Sequence, residues 1–131
     1  MRRQFVLPEA DREYLGPLGH PWETLKDGPA GWLLFDAFEV PSGYNVSKVA
    51  VALRIEPGYP DQQIDMAYFH PALARQDGKP IRALAEIAID GRMWQRWSRH
   101  RTEKNKWRAG EDDIGTQLLL VRHWLELELK K

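Results

Sequence analysis

Cysteine is absent from this 131-residue chain. That excludes a disulfide framework, a thiolate metal site and a thiol nucleophile at once. Net charge is absent too: nineteen basic and nineteen acidic side chains cancel. No long-range field therefore favours nucleic acid or an anionic membrane surface. No apolar run approaches the roughly 20 residues needed to cross a bilayer, and Met1-Arg-Arg-Gln-Phe5 lacks the apolar core of a signal peptide. Internal repeats and low-complexity tracts are missing as well. The expectation is a single cytoplasmic domain over residues 1–131, with no nucleic-acid or membrane partner and no metal or cofactor.

What is present fits a soluble globule, with hydrophobic residues at 43% and charged residues at 29%. A chain of this length buries about two thirds of its unfolded surface. Pro8 to Leu15 reads as a short helix, with Pro8 suited to the first helical position and Glu9 and Asp11 at the positive end of the dipole. Gly16-Pro17 and Gly19-His20-Pro21 break it, and Trp22 to Leu25 reads as one more turn. Trp32 to Phe38 is an apolar, aromatic strand between Gly31 and Pro41-Ser42-Gly43. Val49, Val51, Leu53 and Ile55 alternate with Ala50, Ala52 and Arg54, the period of a strand with one face in the core. Further extended segments are expected at Ile64–Phe69 and Ile81–Ile89, the latter ending in the Asp90-Gly91 turn. Asp112 or Asp113 can cap a last helix carrying Ile114, Leu118, Val121 and Leu125 on one face. Helix, strands, helix is an α+β pattern: an N-terminal helix, an antiparallel β-meander of about four strands, and a C-terminal helix.

Pro57-Gly-Tyr-Pro60 is a rigid turn, followed by one strand and by His70-Pro71. That order resembles the ubiquitin-conjugating (UBC) fold, where a Tyr-Pro turn leads by one strand to His-Pro-Asn and then to the catalytic cysteine. The turn, Asp65-Met66, His70-Pro71, Asp90-Gly91, Trp94-Gln-Arg-Trp-Ser-Arg-His100 and Trp107-Arg108 together resemble prokaryotic UBC family E. The resemblance spans most of the chain. It implies a UBC-like fold and a role in a bacterial ubiquitin-like conjugation pathway with an antiviral purpose. The partners implied are a ubiquitin-like modifier, a ubiquitin-activating-like enzyme and a JAB-type metalloprotease.

The resemblance also marks where chemistry is missing. Thioester transfer needs a soft nucleophile that is a good leaving group, and a donor to the oxyanion. In the superfamily these are cysteine and the Asn of His-Pro-Asn. Here Ala72 stands at the Asn position, and Gly78-Lys79-Pro80-Ile81 falls where the family has Gly-x-Ile-Cys, so the cysteine slot lies near Ile81 or Arg82. Losing one oxyanion donor costs about 100- to 1,000-fold in turnover, and losing the nucleophile ends thioester chemistry. Two readings follow: a component that binds modifier and activating enzyme, either relaying the modifier through a hydroxyl or positioning it for direct transfer, or an inert UBC-variant module.

Ser98 is the leading hydroxyl candidate, ahead of Ser42 and Ser47. It needs a base, and His100 shares its side if the segment is extended; the alternative for Ser98 is a capping hydroxyl. His70 reads either as a proton shuttle or as a brace for the loop after its strand. A metal site from His70, His100 and Asp65 lacks His-x-x-x-His or His-x-His spacing. Asp61 and Asp65 read as turn residues rather than an acid–base pair. Trp94 and Trp97 would meet on one helical turn, either filling the gap under the C-terminal helix or forming a platform. In the second case Arg96, Arg99 and Trp107 join them in binding a modifier tail or an acidic partner.

Overall fold

The computed structural model describes residues 1–131. Helix α1 is Glu9–Leu15, with Pro8 one residue before it as the cap. Six strands follow: β1 Trp22–Asp27, β2 Ala30–Glu39, β3 Lys48–Ile55, β4 Ala67–His70, β5 Leu84–Ile89 and β6 Arg92–Trp97. Helix α2, Ile114–Glu128, comes last. All strands pair antiparallel in one sheet of order β1-β2-β3-β4-β6-β5. The architecture is the expected α+β, with two strands more than the four expected.

Both extra strands have a local explanation. Trp22 to Leu25, expected as a helical turn, is strand because Asp27 and Ala30 close a tight hairpin and put six residues in register with β2. Gly28 supplies the positive φ of 69° that this turn requires. β6 was hidden by its density of aromatics and cations. It forms because Asp90 and Gly91, at φ 53° and 75°, make the two-residue turn that reverses a strand without splaying it. The chain then returns between β5 and β4.

Alternation decides what each face of the sheet buries. Leu33, Phe35, Val51, Leu53, Phe69 and Trp97 point toward Leu15 of α1 and Ile114, Leu118, Val121 and Leu125 of α2 in the main core. The opposite face carries a second cluster with no helical residue in it, built from Leu25, Trp32, Leu34, Tyr68, Ile89 and Trp94 among others. Trp32 meets Tyr68 edge-on, with ring centroids 4.9 Å apart. Trp94 and Trp97 therefore lie on opposite faces, since they are three apart on a strand and not on a helix.

Helix α2 starts on a capping box: Asp113 accepts from Thr116 N, and the Thr116 hydroxyl accepts from Asp113 N, both at 3.0 Å. A third acceptor comes from α1. Asp11, 1% exposed, accepts from Ile114 N at 3.2 Å and from the Tyr59 hydroxyl at 2.6 Å. The Pro57–Pro60 turn is thereby tied to both helices. Burial raises the Asp11 carboxyl above its ordinary 3.8, against the hydrogen bonds from Tyr59 and Ile114. The folded state thus holds this proton more tightly than the unfolded chain does. Its contribution to stability is full below pH 3.8 and is lost as pH rises through the raised value. Asp11→Asn is expected to flatten that part of the curve, so urea midpoints should fall less from pH 4 upward in the variant than in the parent.

Candidate functional site

The segment Pro71–Ala83 leaves β4 where the UBC scaffold carries its chemistry, and it is held down at several points. Leu73 is buried and bracketed by Gln95, whose amide oxygen accepts from Leu73 N at 2.9 Å while its nitrogen donates to Leu73 O at 3.0 Å. Asn45 does the same one residue to either side, donating to Ala72 O at 3.1 Å and accepting from Ala74 N at 2.9 Å. Arg75 is buried and donates to the carbonyls of Glu128, Leu129 and Lys131 at the end of α2. Lys79 reaches Lys131 O at 3.2 Å. Ala72 itself is exposed.

No residue from Pro71 to Ala83 is a cysteine, serine, threonine or tyrosine. Ile81 packs against the main core, and the carbonyl of Arg82 accepts from Arg99 at 3.1 Å. The place where the resemblance puts the nucleophile is thus occupied by an apolar anchor and a backbone acceptor.

The three candidate catalytic residues are not brought together. His70 closes β4, its Nδ1 3.1 Å from Met93 O and its ring 5.5 Å from that of Trp94. His100 sits past the far end of the same strand, since Ala67 pairs with Trp97. A four-residue strand spans roughly 10–13 Å. Ser98 lies nearer His100 in sequence, but its hydroxyl contacts Met66 Sδ at 3.6 Å, and no hydrogen bond joins it to His100. His100 instead places Nδ1 2.9 and 3.0 Å from the two oxygens of Asp65. Its side chain is 60% exposed, so the carboxylate orients the ring and leaves Nε2 open to solvent. The two form a surface histidine–carboxylate pair with no hydroxyl or thiol hydrogen-bonded to it.

The expected partner-binding residues divide between packing and surface. Trp97 is fully buried and donates to Gln95 Oε1 at 2.9 Å. Trp94, 1% exposed, has an indole N–H with no acceptor. Trp107 is half-buried, donates to Pro60 O at 2.9 Å and stacks under Arg101 at 5.0 Å. Arg99 turns inward, to Glu128 Oε1 at 3.0 Å and over the Trp97 ring at 4.9 Å. Arg96 is half-buried beside Tyr68, its register partner on the outer face, and takes no carboxylate partner.

The chain matches the family model described as Prokaryotic E2 family E over residues 7–128. It belongs to that family. No curated protein and no solved structure matches it. In this member of the prokaryotic E2 family the turn at Tyr59-Pro60, the strand β4 and His70-Pro71 keep the scaffold's order, while Ala72 and the loop beyond it, to Ala83, carry neither a thiol nor a hydroxyl. The sequence assigns no role to Arg75 and only a helix-dipole role to Asp11. A lone Arg in a loop and an Asp in a first helical turn carry no signal of long-range partners. Asp65 was weighed as a turn residue, and its approach to His100 depends on the pairing of β4 with β6, which the sequence does not display.

Proposed function

We propose that this chain is a cysteine-independent docking component of a bacterial ubiquitin-like conjugation pathway. It binds a ubiquitin-like modifier and its activating enzyme through the face from His70 to Gly78 and from Trp94 to His100. It holds them for direct transfer and carries no thioester itself. The observation behind this reading is the loop Pro71–Ala83, which in a member of the prokaryotic E2 family has neither a thiol nor a hydroxyl. The antiviral purpose, the cytoplasmic setting and the JAB-type metalloprotease that trims modifier or conjugate belong to the same proposal.

One observation favours a second reading, relay through a hydroxyl. Asp65 orients His100 next to Met66, which the Ser98 hydroxyl touches. Intact-mass analysis after incubation with modifier, activating enzyme and ATP separates the two. The docking reading expects a stable non-covalent complex and no added mass, with Ser98→Ala indistinguishable from the parent. An adduct that survives thiol, yields to hydroxylamine and disappears in Ser98→Ala replaces it with an oxyester carrier. No complex and no adduct would sink both.

A further inference from the structure

The two edges of the sheet are treated differently. Along β1 the N-terminal segment is laid down as cover: Gln4 N donates to Thr24 O at 2.9 Å, Thr24 N donates to Arg2 O at 3.1 Å, and Gln4 Oε1 accepts from Lys26 N at 2.8 Å. At the other edge β5 pairs with β6 and with nothing else. In a two-residue hairpin the residues flanking the turn, here Ile89 and Arg92, form a hydrogen-bonded pair, and bonding alternates from there. Ile89, Ile87 and Ala85 thus bond to β6, while Leu84, Glu86 and Ala88 turn N–H and C=O outward. Edge strands are ordinarily blunted by charged side chains, lysine above all, by proline or by a covering segment. Within β5, Leu-Ala-Glu-Ile-Ala-Ile, there is no lysine or proline, and Glu86 is the single charge.

Beside this edge lies a groove of about 320 Å³, floored by Leu84, Met93 and Ala72 with Glu86 at its rim. Met93 is 54% exposed there. Leu84 and Glu86 share a side by alternation, so a strand added to β5 would direct every second side chain into the groove. Glu86 is exposed and forms no ion pair.

A second copy of the chain does not satisfy this edge. Antiparallel pairing must match outward residues with outward residues. Of the two registers that overlap most of β5, one sets Glu86 against Glu86. Like charges directly opposite are destabilising. The other register sets apolar Leu84 against Asp90, whose N–H already donates to Asp27 Oδ2 at 3.2 Å and whose carboxylate is held by Arg2. An occupant that brings a cation opposite Glu86 and apolar side chains over Leu84 and Met93 has no such conflict.

We propose that the outer edge of β5 is a strand-addition site for an extended peptide segment of a partner protein, with a basic side chain facing Glu86. The assignment goes beyond the docking function above and stands on the edge itself, whichever protein supplies the segment.

The probe is a displayed library of random decapeptides selected on the intact protein. Enriched peptides are expected to alternate apolar residues around a shared Lys or Arg. Synthetic versions should slow exchange of the Leu84, Glu86 and Ala88 amides. Reversing the charge in Glu86→Lys should weaken binding about tenfold, and exchanging the peptide's Lys for Glu should restore it on that variant. Ala88→Pro removes one outward N–H without touching the ladder to β6, and should abolish binding at an unchanged thermal midpoint. No enrichment, or enriched peptides indifferent to Glu86→Lys, overturns the proposal. A dimer in sedimentation that Ala88→Pro dissociates overturns it in favour of a second copy.

Discussion

Trp97→Ala is expected to lower the free energy of unfolding by about 3–5 kcal/mol, the usual cost of truncating a buried large aromatic. The ring is fully buried, meets Phe69 edge-on at 5.4 Å and Tyr44 at 6.3 Å, and has Arg99 over its face at 4.9 Å. Removal leaves a cavity between β6, β4 and α2 that backbone paired on both sides has little freedom to close. It also removes the indole donor to Gln95, the residue that brackets Leu73. The loss therefore reaches the Pro71–Ala83 loop as well as the core. Urea denaturation measures the change, and Trp97→Phe, which keeps much of the volume, should cost a fraction of it. A loss below about 1 kcal/mol in the alanine variant would place Trp97 outside the load of the core and return it to the binding face.

The elements that the sequence disclosed are those whose information is local. The alternation of Val49 to Ile55, the turn at Asp90-Gly91 and the cap at Asp112 or Asp113 are each contained within a few residues; the strand and the turn form there, and of the two aspartates Asp113 is the cap. Trp22–Leu25 and Met93–Trp97 were misread as helical or undecided, because in each case the deciding fact is the partner strand. Trp22 lies opposite Phe35 across a hairpin, and Trp94 lies opposite Ile87. Three-residue spacing of Trp94 and Trp97 looks like one helical turn until the pairing is known, and then it separates them onto two faces. The candidate site divides in the same way. That the chain lacks a nucleophile where the family has one was legible from Ala72 and the absence of cysteine. That Arg99 faces the core and that His100 finds Asp65 was not, since both contacts join residues far apart in the chain: Arg99 to Glu128, and His100 to Asp65.

Arg75→Met is expected to cost about 3–5 kcal/mol, as a buried ion pair does when one partner is removed. The Arg75 guanidinium is 3% exposed and lies 3.7 Å from Glu128 Oε2, itself 4% exposed, and 2.7 Å from Asp77. It donates to Glu128 O at 2.7 Å, supplying the cation and the donors that a helix C-terminus lacks. Tyr44 serves the same end of α2, its hydroxyl donating to Leu125 O at 2.6 Å. Burial pushes that phenol up to about 12, which keeps it a donor across the working pH range. Without Arg75, the Glu128 carboxylate keeps only Arg99 and the exposed Lys131, and the carbonyls of Glu128 and Leu129 lose the guanidinium donor. Arg75→Lys should recover little, because one ammonium cannot span Asp77, Glu128 and the helix end as the planar fork does. The double variant Arg75→Met/Glu128→Leu should recover part of the loss, since it removes the stranded carboxylate along with its partner. Equilibrium urea unfolding of the four proteins tests the set, and a single-variant loss below about 1 kcal/mol would reduce the network to the strength of a surface pair. Because Arg75 belongs to the Pro71–Ala83 loop and Glu128 to α2, the same bond couples the two. A loop whose main-chain groups are held by Asn45 and Gln95, and whose Arg75 side chain is bonded to the end of α2, is fixed in one shape from both sides.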